Sequence, residues 1–355
     1  MVAVAVAPVK RVSVHPRPHL VTLRLPRTRW LARLPAGSVT PVPEFRFSFN
    51  VFRIDPVHTF IETCRRAEQW GYDAVFAADH LGIAAPFMTL VAAAAATDRM
   101  RVGTLVLNAP WWNPALLARD IATTDVLTGG RLEVGLGAGH MKWEYDQADI
   151  PFPSFTTRTA RLRQTIEELA SRFAEEGFAQ QAELREAHNI AVLRPTQRRG
   201  FGGYGPPLLV GGTGDQVLRL AAQYADTVSI ACLYQVKGRP PGTMRLATVA
   251  EIEQRVAYVR RCAGAARHPE LHTLIQEVVL TDDRRKVAGM LAAKYGNLLT
   301  ANEILQSPTL LIGTVEQIAR QLRANRERYG FTHYTIPQPH VAAFAPVITV
   351  LGDLN

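Results

Sequence analysis

From Phe45 onward, the chain alternates between two patterns of hydrophobic and polar positions. Short runs rich in β-branched and aromatic residues predict strands, and stretches with apolar residues three or four positions apart predict helices. The first helix is predicted to open with Asp55 as N-cap and Pro56 in its first turn. The eight predicted strands are 45–51, 72–79, 101–108, 131–137, 206–212, 226–232, 271–280 and 331–338. Strands and helices in this order predict a parallel sheet.

Eight βα units in a core of about 310 residues favour a closed (β/α)₈ TIM barrel. Insertions are expected after strand four, where a Pro-, Gly- and Arg-rich stretch follows a helix, and after strand seven, where helical pieces fill 282–328. An open doubly wound sheet is the alternative. It would carry GxGxxG in its first βα turn, and this chain has FNVFRIDPV there.

Residues 1–44 differ from the rest in composition. They contain seven Lys or Arg against one acid, Glu44, and so carry most of the net charge of +9. Their spaced prolines disfavour long helices and central strands. We therefore expect a flexible extension over 1–44, a barrel over 45–355 and no nucleic-acid partner. A transit-like leader and a translation start placed too far upstream are the alternatives for the extension.

The remaining composition is ordinary for an enzyme-sized globular chain, with 47% hydrophobic and 20% charged residues. No apolar run reaches the roughly 18–20 residues of a membrane span, so no membrane partner is expected. Cys64, Cys232 and Cys262 form no CxxC pair. We therefore expect neither a disulfide nor a metal site, and a reducing cytoplasm is the expected location.

In a barrel of this kind, catalytic groups follow the carboxyl ends of the strands. His80 and His140 stand at such positions and suit proton transfer, because histidine titrates close to neutral pH; a lone histidine is nevertheless more often structural. The candidates at strand ends are Asp79, His80, Asn108, Trp111, Trp112, Gly137, Ala138, Gly139, His140, Trp143, Glu144, Tyr145, Gly211, Gly212, Thr213, Gly214, Cys232, Tyr234 and His340.

Two glycine-rich segments among these candidates predict ligand contacts. Gly211–Gly214 opens a helix, whose backbone N–H groups and positive end make an anion site; a tight turn is the alternative. The small residues of 135–140 would let a flat ring lie against the backbone, or else serve close helix–strand packing. Trp111 and Trp112 either wall an aromatic pocket or pack in a surface loop. Cys232 is expected to be a small buried residue.

Three segments resemble the luciferase-like monooxygenase superfamily: YDAVFAADHL (72–81), GTLVLNAPWWNPALLARDIATTDVLTGGRLEVGLGAGHMKWEY (103–145) and PPLLVGGTGDQVLRLAAQYADTVSI (206–230). The resemblance covers the chain from about Phe45 to its end. The stretch AGHMKWEYDQADIPFPSFTTRTARL is similar to the branch of coenzyme F420-dependent oxidoreductases. This resemblance implies a barrel, usually homodimeric, with the deazaflavin lying across the carboxyl ends of the strands.

The resemblance also implies roles for individual residues. A non-proline cis peptide would fall at Leu105–Val106, and His80 and His140 would lie beside the reactive face. Ring contacts would come from Asp79, Val106, Asn108, Gly137, Ala138 and Gly139, and phosphate contacts from Gly211, Gly212, Thr213 and Gly214. Many relatives carry Trp or an acid where His140 stands. Related sugar-phosphate dehydrogenases carry a Trp shortly after the Asp-His pair, where this chain has residues 82–85, which argues against that substrate.

The function implied is hydride transfer between F420 and a small molecule with a C=C, C=N or carbonyl group, with His80 or His140 as the proton donor. Trp111, Trp112, Tyr234 and His340 would line the substrate pocket. The first alternative is an FMNH₂-dependent monooxygenase on the same fold. The second is a catalytically silent barrel that serves as a partner subunit, which would not need to keep its glycine loops.

Overall fold

The computed structural model of the chain describes residues 45–174, 186–188, 193–296 and 298–352. The predicted extension, residues 1–44, lies outside the described residues, as does part of the irregular stretch before residue 206. Among the residues that are described, none of the helices combines the length and the apolar character that a membrane span requires.

A closed parallel barrel forms the centre of the described structure. The strands are β1 Arg46–Val51, β2 Ala74–Ala77, β3 Arg101–Thr104, β4 Leu107–Asn108, β5 Leu132–Gly137, β6 Leu208–Gly212, β7 Thr227–Ile230, β8 Leu233–Gln235, β9 Met244–Leu246, β10 Glu270–Leu274, β11 Glu277–Leu280, β12 Leu310–Gly313 and β13 Phe331–Pro337. The barrel order is β3-β2-β1-β13-β10-β7-β6-β5-β4, and pairing of β3 with β5 closes it. With β3 and β4 counted as one interrupted strand, the predicted (β/α)₈ barrel is confirmed.

Helices follow the barrel strands, as the hydrophobic pattern predicts. They are α1 Val57–Gln69, α2 Pro86–Ala95, α3 Pro114–Leu127, α4 Lys142–Gln147, α5 Phe155–Phe173, α6 Asp215–Tyr224, α7 Val249–Ala263, α8 Arg284–Lys294, α9 Ala301–Gln306, α10 Val315–Tyr329 and α11 Val341–Gly352. Asn113 caps α3 through its side-chain oxygen. The prediction that Asp55 caps α1 is wrong: Pro56 takes the N-cap position, and no side chain caps that helix.

Two predicted strands are interrupted in the structure. The strand expected over 101–108 breaks into β3 and β4 at a cis peptide between Leu105 and Val106, where the family resemblance placed it. The strand expected over 271–280 is wrong as one element, because β10 stays in the barrel while β11 pairs with β12 outside it. Its apolar pattern runs through both halves, and such a pattern does not tell which partner strand each half meets.

A hairpin of β8 and β9 follows the sixth barrel strand and was not predicted from the sequence. Its Leu233 and Leu246 join a small apolar cluster with residues of α8, α9 and β12, separate from the main core. The segments after the sixth and seventh barrel strands therefore pack on each other at one side of the barrel mouth.

Paired polar groups fill the amino-terminal half of the barrel interior. Arg46 donates to Glu133 at 2.7 Å and to Glu270 at 2.8 Å, at the starts of their strands. One layer further up, the buried His272 ring has a hydrogen-bond partner on each nitrogen, with Thr335 at 2.7 Å on Nε2. Because these groups satisfy one another, ligand chemistry is expected at the opposite, carboxyl end.

Candidate active site

Val106 lies between β3 and β4, as the second residue of the cis peptide. A Cβ atom on Gly137 would lie 2.6 Å from a Val106 methyl carbon, and one on Gly211 would lie 3.2 Å from the other. Glycine on β5 and β6 therefore makes room for this side chain. The close approach that the sequence suggested for a flat ring is made by the Val106 side chain itself.

Asp79, at the end of β2, holds the chain that follows the cis peptide. Its Oδ2 accepts hydrogen bonds from the Asn108 backbone N–H at 3.0 Å and from Trp112 Nε1 at 2.9 Å. Burial raises the pKa of Asp79, and the two hydrogen bonds oppose that rise. The carboxyl group thus orders the loop at the mouth through Asn108 and Trp112.

Asn108 connects this loop to the segment after β5. Its Oδ1 accepts from the hydroxyl of the fully buried Tyr145 at 2.7 Å. A Cβ on Gly139 would collide with both the Tyr145 hydroxyl and the Asn108 amide, and Gly139 has φ +73°. The structure therefore brings Asp79, Asn108 and Gly139 together.

His80 faces Glu144, one of the strand-end candidates, to which the sequence assigned no role. Glu144, in α4, accepts from His80 Nδ1 at 2.8 Å and from the Leu81 backbone N–H at 3.2 Å. The Glu144 side chain is 2% exposed and that of His80 is 35% exposed. In the sequence, its position after the fourth barrel strand indicates Glu144 as a candidate, but nothing there indicates that it pairs with His80.

His140 lies against His80, with ring centroids 5.8 Å apart and the planes at 87°. Although His140 is exposed toward solvent, burial of its inner side, together with the charges of His80 and Arg158, lowers the pKa of His140 to about 4. His140 is therefore uncharged at neutral pH. The two histidines are thus in different environments.

The loop Gly211–Gly214 follows β6 and leads into α6. The Thr213 hydroxyl is buried and has no hydrogen-bond partner among the described residues. A Cβ on Gly214 would lie 2.9 Å from the Phe155 ring, so the start of α5 packs on this loop. The acid in the first turn of α6, Asp215, is already paired with Arg255.

Arg158, in α5, is a buried cation that sequence reasoning missed. Arg158 is 7% exposed, and its guanidinium lies 4.0 Å above the centre of the Phe152 ring. Its Nη1 donates a hydrogen bond to the Pro153 carbonyl. Its Nε has no partner, and no carboxylate pairs with it, within the described part of the chain. In the sequence it is one of several arginines on an amphipathic helix, and the pattern gives no sign that it lacks a counter-ion.

The four predicted substrate-pocket residues divide into two pairs. Trp112 bonds to Asp79, and Trp111 packs edge-on against Tyr145 with centroids 5.6 Å apart. Tyr234 lies instead in the hairpin, 4.9 Å from the Arg245 guanidinium. His340 follows β13, and its Nε2 lies 3.9 Å from Glu277. The described contacts therefore join the two tryptophans to the Asp79–Asn108 group and leave Tyr234 and His340 apart from it.

Cys232 is buried at the end of β7, and burial raises the pKa of its thiol to about 12. A thiolate nucleophile is therefore absent at neutral pH, in line with the expectation of a small buried residue.

A closed (β/α)₈ barrel with polar groups at the carboxyl ends of its strands is an enzyme-type scaffold. The model of the family described as luciferase-like monooxygenase matches residues 31–333, and the chain belongs to this family. The resemblance inferred from the sequence is confirmed.

Curated relatives include both cofactor types of this family. The chain is 31% identical over 173 residues to an F420-dependent glucose-6-phosphate dehydrogenase of Intrasporangium calvum, covering 45% of this chain and 50% of the relative. It is 32% identical over 111 residues to the oxygenase component of a flavin-dependent trigonelline monooxygenase of Acinetobacter baylyi, covering 30% and 31%. The chain thus spans about half or less of the length of these relatives.

The fold is also found among solved structures. The coenzyme F420-dependent tetrahydromethanopterin reductase of Methanopyrus kandleri superposes with a TM-score of 0.61 at 15% identity, covering 86% of this chain and 97% of that one. At this identity, the similarity establishes the barrel fold.

Proposed function

We propose that this chain is an F420-dependent oxidoreductase that transfers a hydride between the reduced deazaflavin and an organic C=C, C=N or carbonyl group. The observation that carries the proposal is the His80–Glu144 pair, whose members follow the second and the fourth barrel strands. A buried carboxylate that holds one ring nitrogen of a histidine orients the other nitrogen for proton transfer.

The residues at the mouth fit a flavin-type cofactor. Buried polar atoms without a partner among the described residues include Asn50 Oδ1, near the end of β1, and Trp111 Nε1, beyond β4. An unpaired buried polar group costs roughly 1–3 kcal/mol, and a bound heterocycle with both N–H and carbonyl groups would satisfy an acceptor and a donor of this kind.

A phosphate group fits the other side of the mouth. The Thr213 hydroxyl, the N–H groups at the start of α6 and the Arg158 guanidinium are all donors. Arg158 lacks a carboxylate partner among the described residues, and a buried cation of this kind is stabilised by a bound anion. The packing of Phe155 on Gly214 brings the helix that carries Arg158 to the loop.

The bound deazaflavin would supply or accept the hydride, and the chain would supply the proton. We assign the proton to His80, because its Nδ1 is held by Glu144 and its Nε2 has no partner among the described residues. His140, with its pKa lowered to about 4, is uncharged at neutral pH and would line the pocket instead.

Two histidine variants test this assignment. Replacing His80 with Asn should lower kcat about 10²–10⁴-fold while F420 affinity survives, as expected for the loss of a general acid. The matched variant His140→Asn should keep kcat within about threefold, which is under roughly 0.7 kcal/mol. Steady-state rates at saturating cofactor measure both. An unchanged kcat in His80→Asn would remove histidine acid catalysis from the proposal.

The second candidate is an FMNH₂-dependent monooxygenase, favoured by the similarity to the trigonelline monooxygenase component. The Val106 side chain would contact the ring of either cofactor, and Arg158 would bind the phosphate of either cofactor. Oxygen consumption with reduced FMN and a substrate panel would support this candidate over the first. Glucose 6-phosphate is not our proposed substrate, because residues 82–85 lack the Trp that the resemblance leads one to expect.

A further inference from the structure

Glu144 is a buried carboxylate that enters the proposed function only through its contact with His80. Its side chain is 2% exposed, and no Lys or Arg pairs with it within the described ranges. Taking a carboxylate out of water costs several kcal/mol unless charge or hydrogen bonds compensate. Both hydrogen bonds that compensate Glu144 come from one neighbouring loop, from His80 Nδ1 at 2.8 Å and Leu81 N–H at 3.2 Å.

We propose that Glu144 is the positioning residue of His80: it keeps a proton on Nδ1, so that Nε2 is the nitrogen that exchanges its proton with the substrate. The role of Nε2 rests on the function proposed above. The tautomer that Glu144 imposes is a property of the free protein and is testable without any cofactor.

The geometry around His80 restricts the ring in two ways. The Leu81 N–H also bonds to Glu144 Oε1, so the carboxylate is tied to the backbone and does not swing with the ring. The His140 ring packs edge-on against His80 at 5.8 Å and opposes rotation of the imidazole. A carboxylate that fixes the second nitrogen of a working histidine sets both its tautomer and its orientation.

The proton balance follows from this arrangement. When a hydride adds to one atom of the substrate double bond, the electron pair of that bond moves to the other atom. That atom takes the proton from Nε2 of the His80 imidazolium, so an N–H bond breaks and an O–H, N–H or C–H bond forms. His80 is left neutral, with its proton still on Nδ1 and donated in the hydrogen bond to Glu144. Water can then return a proton to Nε2, because the His80 side chain is 35% exposed.

Histidine ¹⁵N NMR of the cofactor-free protein tests the tautomer. Near pH 9, where histidines are generally neutral, the wild type should show His80 with its proton on Nδ1. In Glu144→Gln the side-chain amide can donate as well as accept, so the Nε2–H form should become populated. Asp146→Asn is the matched control, because Asp146 lies in the same helix in an exposed ion pair with Lys142. This control should leave the His80 tautomer unchanged.

Kinetics supply the second readout. Glu144→Gln should lower kcat about 10- to 100-fold, the usual effect of removing an orienting carboxylate, with F420 affinity and KM within about threefold. If the His80 tautomer shifts in Glu144→Gln but the wild type neither oxidises nor reduces F420, the positioning role is supported and the proposed function is contradicted. The same Nδ1–H tautomer in the wild type and in a folded Glu144→Gln protein would overturn the inference, whatever the activity.

Discussion

The side chain of Val106 occupies the space that a Cβ on Gly137 would need, with 2.6 Å between that position and a Val106 methyl carbon. Val106 enters the barrel mouth directly after the cis peptide, and a glycine on each of the two following strands accommodates it. An apolar side chain bounded by the backbone of two neighbouring strands therefore lies at this end of the barrel.

The first prediction concerns this contact. Gly137→Ala should destabilise the protein by about 1–3 kcal/mol, because the added methyl group overpacks against Val106. Val106→Ala in the same chain should recover most of that loss. Denaturant unfolding of the single and double variants measures the coupling. Gly289→Ala is the control, since Gly289 lies inside α8 with open space around it and the substitution should stabilise slightly. Strictly additive effects at 137 and 106 would disprove the contact.

The second prediction concerns Arg158. Arg158→Gln should weaken binding of F420 by about 10- to 100-fold, the loss expected when one charge-assisted hydrogen bond of roughly 1.5–3 kcal/mol disappears. Binding of the phosphate-free deazaflavin riboside should stay within about threefold. Arg163→Gln, an exposed arginine of the same helix, is the control. Fluorescence titration measures all three proteins. Equal losses for both ligands would place Arg158 in the fold and not at the phosphate.

The third prediction follows from the pKa of His140, which is lowered from an ordinary 6.5 to about 4 in the folded protein. Between these values the unfolded chain binds more protons than the folded one, so stability falls as the pH drops from 6.5 toward 4. His140→Asn should therefore show a shallower loss of unfolding free energy over this range than the wild type. The buried His272, whose pKa is also lowered, is present in both proteins. Identical pH dependences would contradict the assigned environment of His140.

The hydrophobic pattern predicts the barrel because parallel strands covered on both faces read as apolar runs between amphipathic helices. The same pattern cannot assign β11 to a second sheet, because strands in either sheet read alike. The site residues likewise divide into those that the sequence indicates and those that only the structure identifies. Asp79, Asn108 and Gly139 stand at strand ends and are found together, whereas the pairing of Glu144 with His80 and the burial of an unpaired Arg158 are visible only in the structure.

The fourth prediction concerns residues 1–44, which we propose to be an extension outside the cofactor site because of their prolines and one-sided charge. A protein that begins at residue 44 should bind F420 within about threefold of the full chain, a change under roughly 0.7 kcal/mol. Titration of both proteins under the same salt conditions measures this. A loss greater than tenfold would show that the segment contributes to the pocket.

The identity of the cofactor, F420 or FMN, decides between the two proposed functions. Purified full-length protein titrated separately with F420 and with FMN, followed by fluorescence quenching, tests this identity most directly. We expect F420 to bind more tightly than FMN, and Arg158→Gln to weaken F420 binding. Micromolar binding of FMN together with no detectable binding of F420 would contradict the account and assign the barrel to the flavin-dependent monooxygenases of its family.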